Sequence, residues 1–365
     1  MGFSCGLFGL PNVGKTTIFN ALSRRKAKVA PHPFTTIDPN IAKVPVPDRR
    51  LDTLQSLLLK ETVTPTVLEI RDVAGLVKGA SQGEGLGNKF LGELREVDAL
   101  LHVVRCFEEE GVSHVYTTLD PLRDIEIVTT ELAIADLEVV ERRLERVKRD
   151  MKGGEKRAVQ EHAALGQATE ALAKGQPLRW VGLSEEAIEL LKPLDLLTQK
   201  PLMYVANADE AELEGQAGQA KYVPHVMKRA QEEGAPCIVV CGKLEEELGD
   251  LEESERGEFL KEMGLTESGL ERLIHMGYGL LDLVTFYTVV GKELRAWTIP
   301  QGTKAQEAAG KIHTDMEKGF IKADVIPYED FVKAGSEAAA REKGIVRVEG
   351  KEYLVRDGDI LHIKF

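Results

Sequence analysis

The chain has 365 residues, room for two or three domains, with 43% hydrophobic and 29% charged side chains, an ordinary globular balance. No apolar run approaches the ~20 residues of a membrane span, and Met1-Gly-Phe-Ser-Cys5 opens no secretory signal. The formal charge of −13 argues against a general polyanion binder, so a nucleic-acid partner needs a local basic patch.

Taken in order, Phe3–Phe8 reads as a short buried strand and Lys15 to Arg24 as a helix. Between them, Gly9 to Thr17 spell GLPNVGKTT, a match to G-x-x-x-x-G-K-[ST]. That spacing turns backbone N–H groups inward to cradle phosphates, here from Asn12 through Thr17 (Asn12, Val13, Gly14, Lys15, Thr16, Thr17). Lys15 reaches the β- and γ-phosphates, and the Thr16 hydroxyl suits Mg²⁺. Residues 27–40 carry three prolines and the adjacent Thr35 and Thr36, which reads as a functional loop. Ile41–Val46 and Val67–Asp72 are expected strands, the second running into D-x-x-G at Asp72 and Gly75. Residues 79–87 hold four glycines and suggest a mobile segment. Phe90–Glu96 reads as a helix, Leu100–Val104 as a buried strand, and Glu108–Asp120 as a loop carrying His114.

From Glu126 to about Lys174 proline vanishes, and Leu137, Val140, Leu144, Val147 and Met151 step in threes and fours. Ala158, Leu165 and Leu172 resume every seventh residue beyond Gly153-Gly154. A short antiparallel coiled-coil hairpin fits this seam, as does an ordinary helical subdomain. Arg142 to Arg157 hold eight basic residues against three acidic ones, either a solvated face or a contact site. Ser184 is an expected N-cap for a helix to Leu191. The α/β pattern returns at Pro201, with strands into Asn207 and over Cys237–Val240, a helix over Tyr222–Gln231, and further helix over Leu251–Leu273.

The C-terminal stretch changes character. Thr285–Val290 and Glu293–Ile299 read as a hairpin about Gly291-Lys292. A helix capped by Thr303 runs to Ile312, and Lys318–Ile326, Ile345–Val348, Lys351–Val355 and Ile360–Lys364 read as strands. This is the content of a β-grasp module. The cysteines Cys5, Cys106, Cys237 and Cys241 lie in or beside apolar runs without a CxxC pair, as reduced, buried thiols do.

Four segments extend the phosphate loop into a G-protein-like site. Thr36 stands where a switch threonine completes the Mg²⁺ shell. Asp72 is placed for a water-mediated Mg²⁺ contact and Gly75 for the γ-phosphate. Asn207-Ala208-Asp-Glu210 replaces N-K-x-D, and Cys241-Gly242-Lys243 replaces S-A-K. Glu210 is too long to hold the guanine fork of an aspartate, so adenine becomes a serious candidate. Leu76 stands where a glutamine would orient the attacking water. Slow hydrolysis or another water-positioning group follows, and His114 is the candidate, with the γ-phosphate itself as the alternative proton acceptor. Asn12 either helps hold a K⁺ ion or only shapes the loop turn.

GLPNVGKTT, PFTTIDPN, DVAGLVKGAS with GEGLGNKF, HVVRCF and NADE together resemble the YchF subfamily of Obg-related P-loop ATPases. The resemblance covers essentially the whole chain. It implies an α/β fold: a P-loop G domain over 1–127 and 196–278, a helical coiled-coil insertion over 128–195, and a TGS β-grasp domain over 279–365. It also implies a cytoplasmic, monomeric ATPase that uses Mg²⁺, binds GTP less well than ATP, and associates with the ribosome, with the large subunit as the expected contact. Protein partners would use the TGS and helical domains. A nucleotide-gated adaptor with incidental hydrolysis is the competing class.

Overall fold

The computed structural model of the protein describes residues 3–29, 40–73, 75, 79, 86–109, 114–116, 118–150, 156–213 and 220–365. In chain order its elements begin with β1 (Ser4–Phe8), α1 (Lys15–Val29), β2 (Ile41–Pro45), α2 (Arg49–Leu58), β3 (Thr62–Thr64) and β4 (Val67–Asp72). Then come α3 (Leu86–Arg95), β5 (Ala99–Cys106), α4 (Pro121–Asp150), α5 (Lys156–Ala173) and α6 (Glu185–Leu191). β6 (Leu202–Ala208), α7 (Glu210–Leu213), α8 (Val223–Glu233), β7 (Cys237–Val240), α9 (Gly242–Asp250), α10 (Glu253–Glu262) and α11 (Gly269–Leu280) follow. The chain ends with β8 (Leu283–Val290), β9 (Glu293–Pro300), α12 (Ala305–Ile312), α13 (Thr314–Lys318), β10 (Lys322–Pro327), α14 (Tyr328–Ala334), α15 (Glu337–Glu342), β11 (Arg347–Glu349) and β12 (Asp359–Lys364).

Two compact units result: Met1–Val44 with Glu69–Leu273, and Pro45–Leu68 with Ile274–Phe365. The first holds a six-stranded sheet in the order β2-β4-β1-β5-β6-β7. β1 pairs in parallel with both β4 and β5, and β5 through β7 continue in parallel. β1, β5 and β6 are buried along their whole length, as strands covered on both faces must be. Because β1 has neighbours on either side that are later in sequence, the loop leaving it lies at the topological switch point. α1 is longer than expected and runs to Val29, into the stretch read as loop.

α4 and α5 form the expected antiparallel hairpin, with Arg143 of one paired to Glu161 of the other at 2.6 Å. Val140, Val147, Ala158, Leu165 and Leu172 are buried in its seam, and Leu137 and Leu144 pack beside them. α6 closes this core through Ala187 and Leu191, its N-terminus capped by Ser184, whose side chain accepts from the Ala187 N–H. The hairpin is tied at its base by Asp136, fully buried, which accepts from the Leu197 N–H, the Thr198 N–H and hydroxyl, and Arg95.

The second unit is a sheet in the order β11-β10-β12-β8-β9-β3. β8 and β9 form the expected hairpin, Val290 opposite Glu293, with Gly291 at φ 56° in the turn. β12 joins β8 in parallel, which is the β-grasp arrangement. α12 lays Ala305, Ala308 and Ala309 on one face against Phe286, Val325 and Leu361. The opposite face is where the structure departs from the expected boundaries. Residues 45–68, read as part of the G domain because they lie between its strands, build this unit instead. Leu51 and Leu54 of α2 pack with Tyr287, Ile326 and Phe331, and β3 adds an edge strand parallel to β9. Lys351–Val355, expected as a strand, makes one bridge, Leu354 to Lys304. Lys318 ends helix α13, so the next strand starts at Lys322 rather than Lys318. The cap of α12 falls on Lys304, one residue after Thr303. No helix among the described residues is long and apolar enough to cross a membrane.

Candidate functional site

The parallel strands deliver the motif residues to one edge: Leu7 lies opposite Asp72, Phe8 opposite His102, Arg105 opposite Asn207 and Asn207 opposite Val240. Beyond β1 the loop needs its glycines. Gly9 sits at φ 153°, and a Cβ there would lie 2.4 Å from the Val103 carbonyl oxygen. At Gly14, φ 88°, a Cβ would fall 2.0 Å from Asn207 Nδ2. Asn12 is left-handed at φ 61°, a conformation asparagine tolerates better than most residues.

Lys15 is 7% exposed, and its Nζ donates to the carbonyls of Gly9 at 3.2 Å and Leu10 at 2.8 Å. Burial pulls its pKa down to about 8, against the pull of Asp72. Asp72 is pushed up by its own burial, while Lys15 and a hydrogen bond from Thr16 act in the opposite sense. The hydroxyl of Thr16 and the carboxylate of Asp72 are thus adjacent hard oxygen donors, a set that fits Mg²⁺ when phosphates and water complete the octahedron. No group of three or more His, Cys, Asp or Glu gathers as a cage among the described residues. A Cβ on Gly75 would meet Pro11 N at 3.2 Å and Lys15 Nζ at 3.3 Å, so the D-x-x-G glycine lies directly against the phosphate loop. Gly79 donates to the buried Glu131 of α4 at 2.6 Å.

Asn207 is 4% exposed and joins two loops: its Nδ2 donates to the Val13 carbonyl at 2.9 Å and its Oδ1 accepts from the Gly242 N–H at 3.0 Å. A Cβ on Gly242 would come within 3.2 Å of Thr17 Cγ2, so glycine there permits the close approach. Ala208 is buried and Glu210 is exposed at the start of α7. Asp209 caps that turn, accepting from the Glu212 N–H at 3.0 Å. Glu212 itself is buried and accepts from the N–H groups of Lys221, Tyr222 and Val223, fixing the start of α8. Cys241 is buried beside the site, its thiol pushed up chiefly by burial.

The sequence and solved-structure comparisons agree with this geometry. Residues 4–137 match a family described as 50S ribosome-binding GTPase, and 283–365 match the YchF-GTPase C-terminal family, described as a protein of unknown function. The chain is 47% identical to the ribosome-binding ATPase YchF of Haemophilus influenzae, over 100% of this chain and 99% of the relative. It is 48% identical to the protein of the same name in Bacillus subtilis, over 100% of both. The chain belongs to the YchF family. The solved YchF GTPase of Schizosaccharomyces pombe superposes with a TM-score of 0.89 at 38% identity, covering 100% of this chain and 98% of that one.

In this YchF-family chain the structure places some expected residues differently from a bare motif reading. Thr36 and Leu76 lie outside the described residues. His114 is held with both ring nitrogens used: Nδ1 accepts from the Tyr116 N–H at 3.0 Å and Nε2 donates to Asp124 at 2.8 Å. Its side chain is 8% exposed, so in this arrangement it offers water no free lone pair. His102 is core, stacked on Phe8 at 4.9 Å, with burial foremost in drawing its pKa down to about 3. Arg105 went uninterpreted in the sequence. It is 4% exposed, covers the Phe107 ring at 4.6 Å, and reaches the Asn12 carbonyl at 3.4 Å. The available signal was a lone cation closing an otherwise apolar strand.

Proposed function

We propose that this chain is a Mg²⁺-dependent nucleoside triphosphatase that takes ATP in preference to GTP and works with the ribosome, at its large subunit, in translation. The observation that carries the base preference is the N-x-x-E segment. Asn207 is pinned between Val13 and Gly242, and in this reading Glu210, three residues on at the start of α7, takes the base position. The two YchF relatives named ATPase and the one named GTPase leave that preference open between them. In this reading Val13, Gly14, Lys15, Thr16 and Thr17 hold the phosphates. Ala208, Cys241 and Gly242 border the base, and Gly75 meets the γ-phosphate. Thr16, Thr36 and Asp72 hold Mg²⁺, which supplies charge neutralisation on the phosphates. Asn12, left-handed in the loop, is proposed to help hold a K⁺ ion; equal turnover in KCl and NaCl would remove that role.

His114 is the proposed water-orienting residue, acting once its bond to Asp124 opens. That requirement keeps intrinsic hydrolysis slow and gives a partner a step to accelerate. The protein is read as cytoplasmic and monomeric, with further protein contacts through the helical hairpin and the β-grasp module. The deciding experiment is a side-by-side titration with ATP and GTP. ATP should bind at least as tightly, and the double change Glu210→Asp with Ala208→Lys should shift preference toward GTP. Tenfold tighter GTP binding by the unaltered chain would overturn the reading.

A further inference from the structure

Arg105, near the end of β5, belongs to none of the motifs that define the nucleotide site. It stands opposite Asn207 in the parallel β5–β6 ladder, and residues opposite each other on neighbouring strands point to the same face of a sheet. Both side chains reach the phosphate loop from that face. Asn207 Nδ2 donates to the Val13 carbonyl at 2.9 Å, and Arg105 Nη1 donates to the Asn12 carbonyl at 3.4 Å. Two consecutive peptides of the loop are therefore held by two residues that the ladder sets side by side.

Across a trans peptide the N–H points opposite to the C=O. Drawing the Asn12 carbonyl toward Arg105 turns the Val13 N–H the other way, and the Asn207 bond does the same for the Gly14 N–H. Inward N–H groups are what a phosphate loop needs. The backbone at Asn12 also calls for a restraint. Its φ of 61° is left-handed, a conformation that costs a non-glycine residue free energy and persists where the surroundings hold it. The rest of the guanidinium is anchored. Arg105 is 4% exposed, its Nε donates to the Phe107 carbonyl at 3.1 Å, and its Cζ lies 4.6 Å from the centre of the Phe107 ring. That ring in turn borders the loop, since a Cβ on Gly14 would come within 3.9 Å of it. Arg105 thus spans from the strand end to the loop on a planar fork that stays charged. A clip for the strand end alone would use Nε and stop there.

We infer that Arg105 is a positioning residue for polyphosphate binding: by holding the Asn12 carbonyl it aims the Val13 N–H into the phosphate loop before the nucleotide arrives. Ordering paid in advance is affinity gained on binding. Arg105 acts through the loop backbone, so its contribution follows the phosphates and not the base. That role rests on the reading of Gly9 to Thr17 as the phosphate site.

The test uses the full chain with Mg²⁺ and two probes: ATP, and inorganic tripolyphosphate, which carries phosphates without a base. Calorimetry with ATP and competition by tripolyphosphate give the two affinities. Arg105→Gln separates the two bonds of the arginine. Its Nε2 is the fourth side-chain atom, as Nε is in arginine, so the bond to the Phe107 carbonyl survives and the reach to Asn12 is lost. Affinity for both probes should fall about tenfold, by the same factor, the size of one hydrogen bond from a charged group. KM for ATP should rise with it while kcat at saturation stays within about twofold, because what is lost is binding shared by the ground and transition states. Arg105→Lys restores a charged donor with a longer reach and should return both affinities to within about threefold of the parent. Unchanged tripolyphosphate affinity in a folded glutamine variant would overturn the inference. So would a loss confined to ATP, which puts the effect at the base. If the glutamine variant shows no cooperative urea transition, the lysine variant decides, and tripolyphosphate binding about tenfold weaker in that folded protein would overturn the inference. Tripolyphosphate that fails to displace ATP from the parent chain would fault the phosphate-site reading, and the role of Arg105 with it.

Discussion

Asn207→Ala tests the construction of the site most directly. The carboxamide makes two buried hydrogen bonds, to the Val13 carbonyl and from the Gly242 N–H, at 2.9 and 3.0 Å. Alanine removes both and leaves a backbone acceptor and a backbone donor inside a site where the residue is 4% exposed. An orphaned buried partner costs about 1–3 kcal/mol. Water entering beside Gly14 recovers part of that, so the first unit should lose ~2–4 kcal/mol. Nucleotide affinity should fall about tenfold or more, since ~1.4 kcal/mol of loop ordering is then drawn from binding. Asn207→Asp sharpens the case. It keeps an acceptor for Gly242 but sets an oxygen against the Val13 carbonyl, which only the protonated acid can satisfy as a donor. Its folded-state pKa is therefore raised above the unfolded value. The stability it retains is present at low pH and lost as pH rises through the folded pKa, so this variant should be firmer at pH 5 than at pH 8. Urea unfolding reports the result. Of the two tryptophans, Trp180 lies in the first unit and Trp297 in the second, so a Trp297→Phe background isolates the signal. An Asn207→Ala protein within about 0.5 kcal/mol of its parent, with unchanged ATP affinity, would refute the reasoning.

Lys15 should make nucleotide binding proton-linked. Burial lowers its pKa from 10.5 to about 8, so its charged form is penalised below about pH 8, and the penalty is relieved as pH rises from there toward 10.5. A polyphosphate restores the charge. Calorimetry at pH 9 should therefore show proton uptake on ATP binding, and heats that do not depend on the buffer's ionisation enthalpy would exclude it. His114→Ala should lower kcat about tenfold or more with ATP affinity within about twofold; parent kcat with and without ribosomes would remove His114 from the reaction. Thr36→Ala should sharply reduce Mg²⁺-dependent turnover, and unchanged turnover would take Thr36 out of the metal's shell.

Much of this protein is set by short-range chemistry, and that much is written in the sequence. Gly9, Gly14, Lys15 and Thr16 stand at fixed spacing because one tight loop between a strand and a helix must place them. Asp72 and Asn207 close strands whose apolar runs mark them as buried. The hairpin seam of Val140, Val147, Leu165 and Leu172 follows from helical periodicity alone. What tertiary structure decided are choices among distant partners. Nothing local in residues 45–68 says that Thr62–Thr64 will pair with Glu293–Arg295, or that Leu51 and Leu54 will cover the β-grasp sheet. Any exposed sheet edge and any apolar face satisfies such a segment, and only assembly selects one. The same holds at the site. His114 looked free because its loop has no periodicity, yet Asp124, at the start of the next helix, takes its Nε2 hydrogen. Arg105 drew no reading from the sequence, yet the fold sets it against the Asn12 carbonyl. A motif specifies which groups chemistry requires; which neighbours restrain them is decided by what packing brings within about 3 Å.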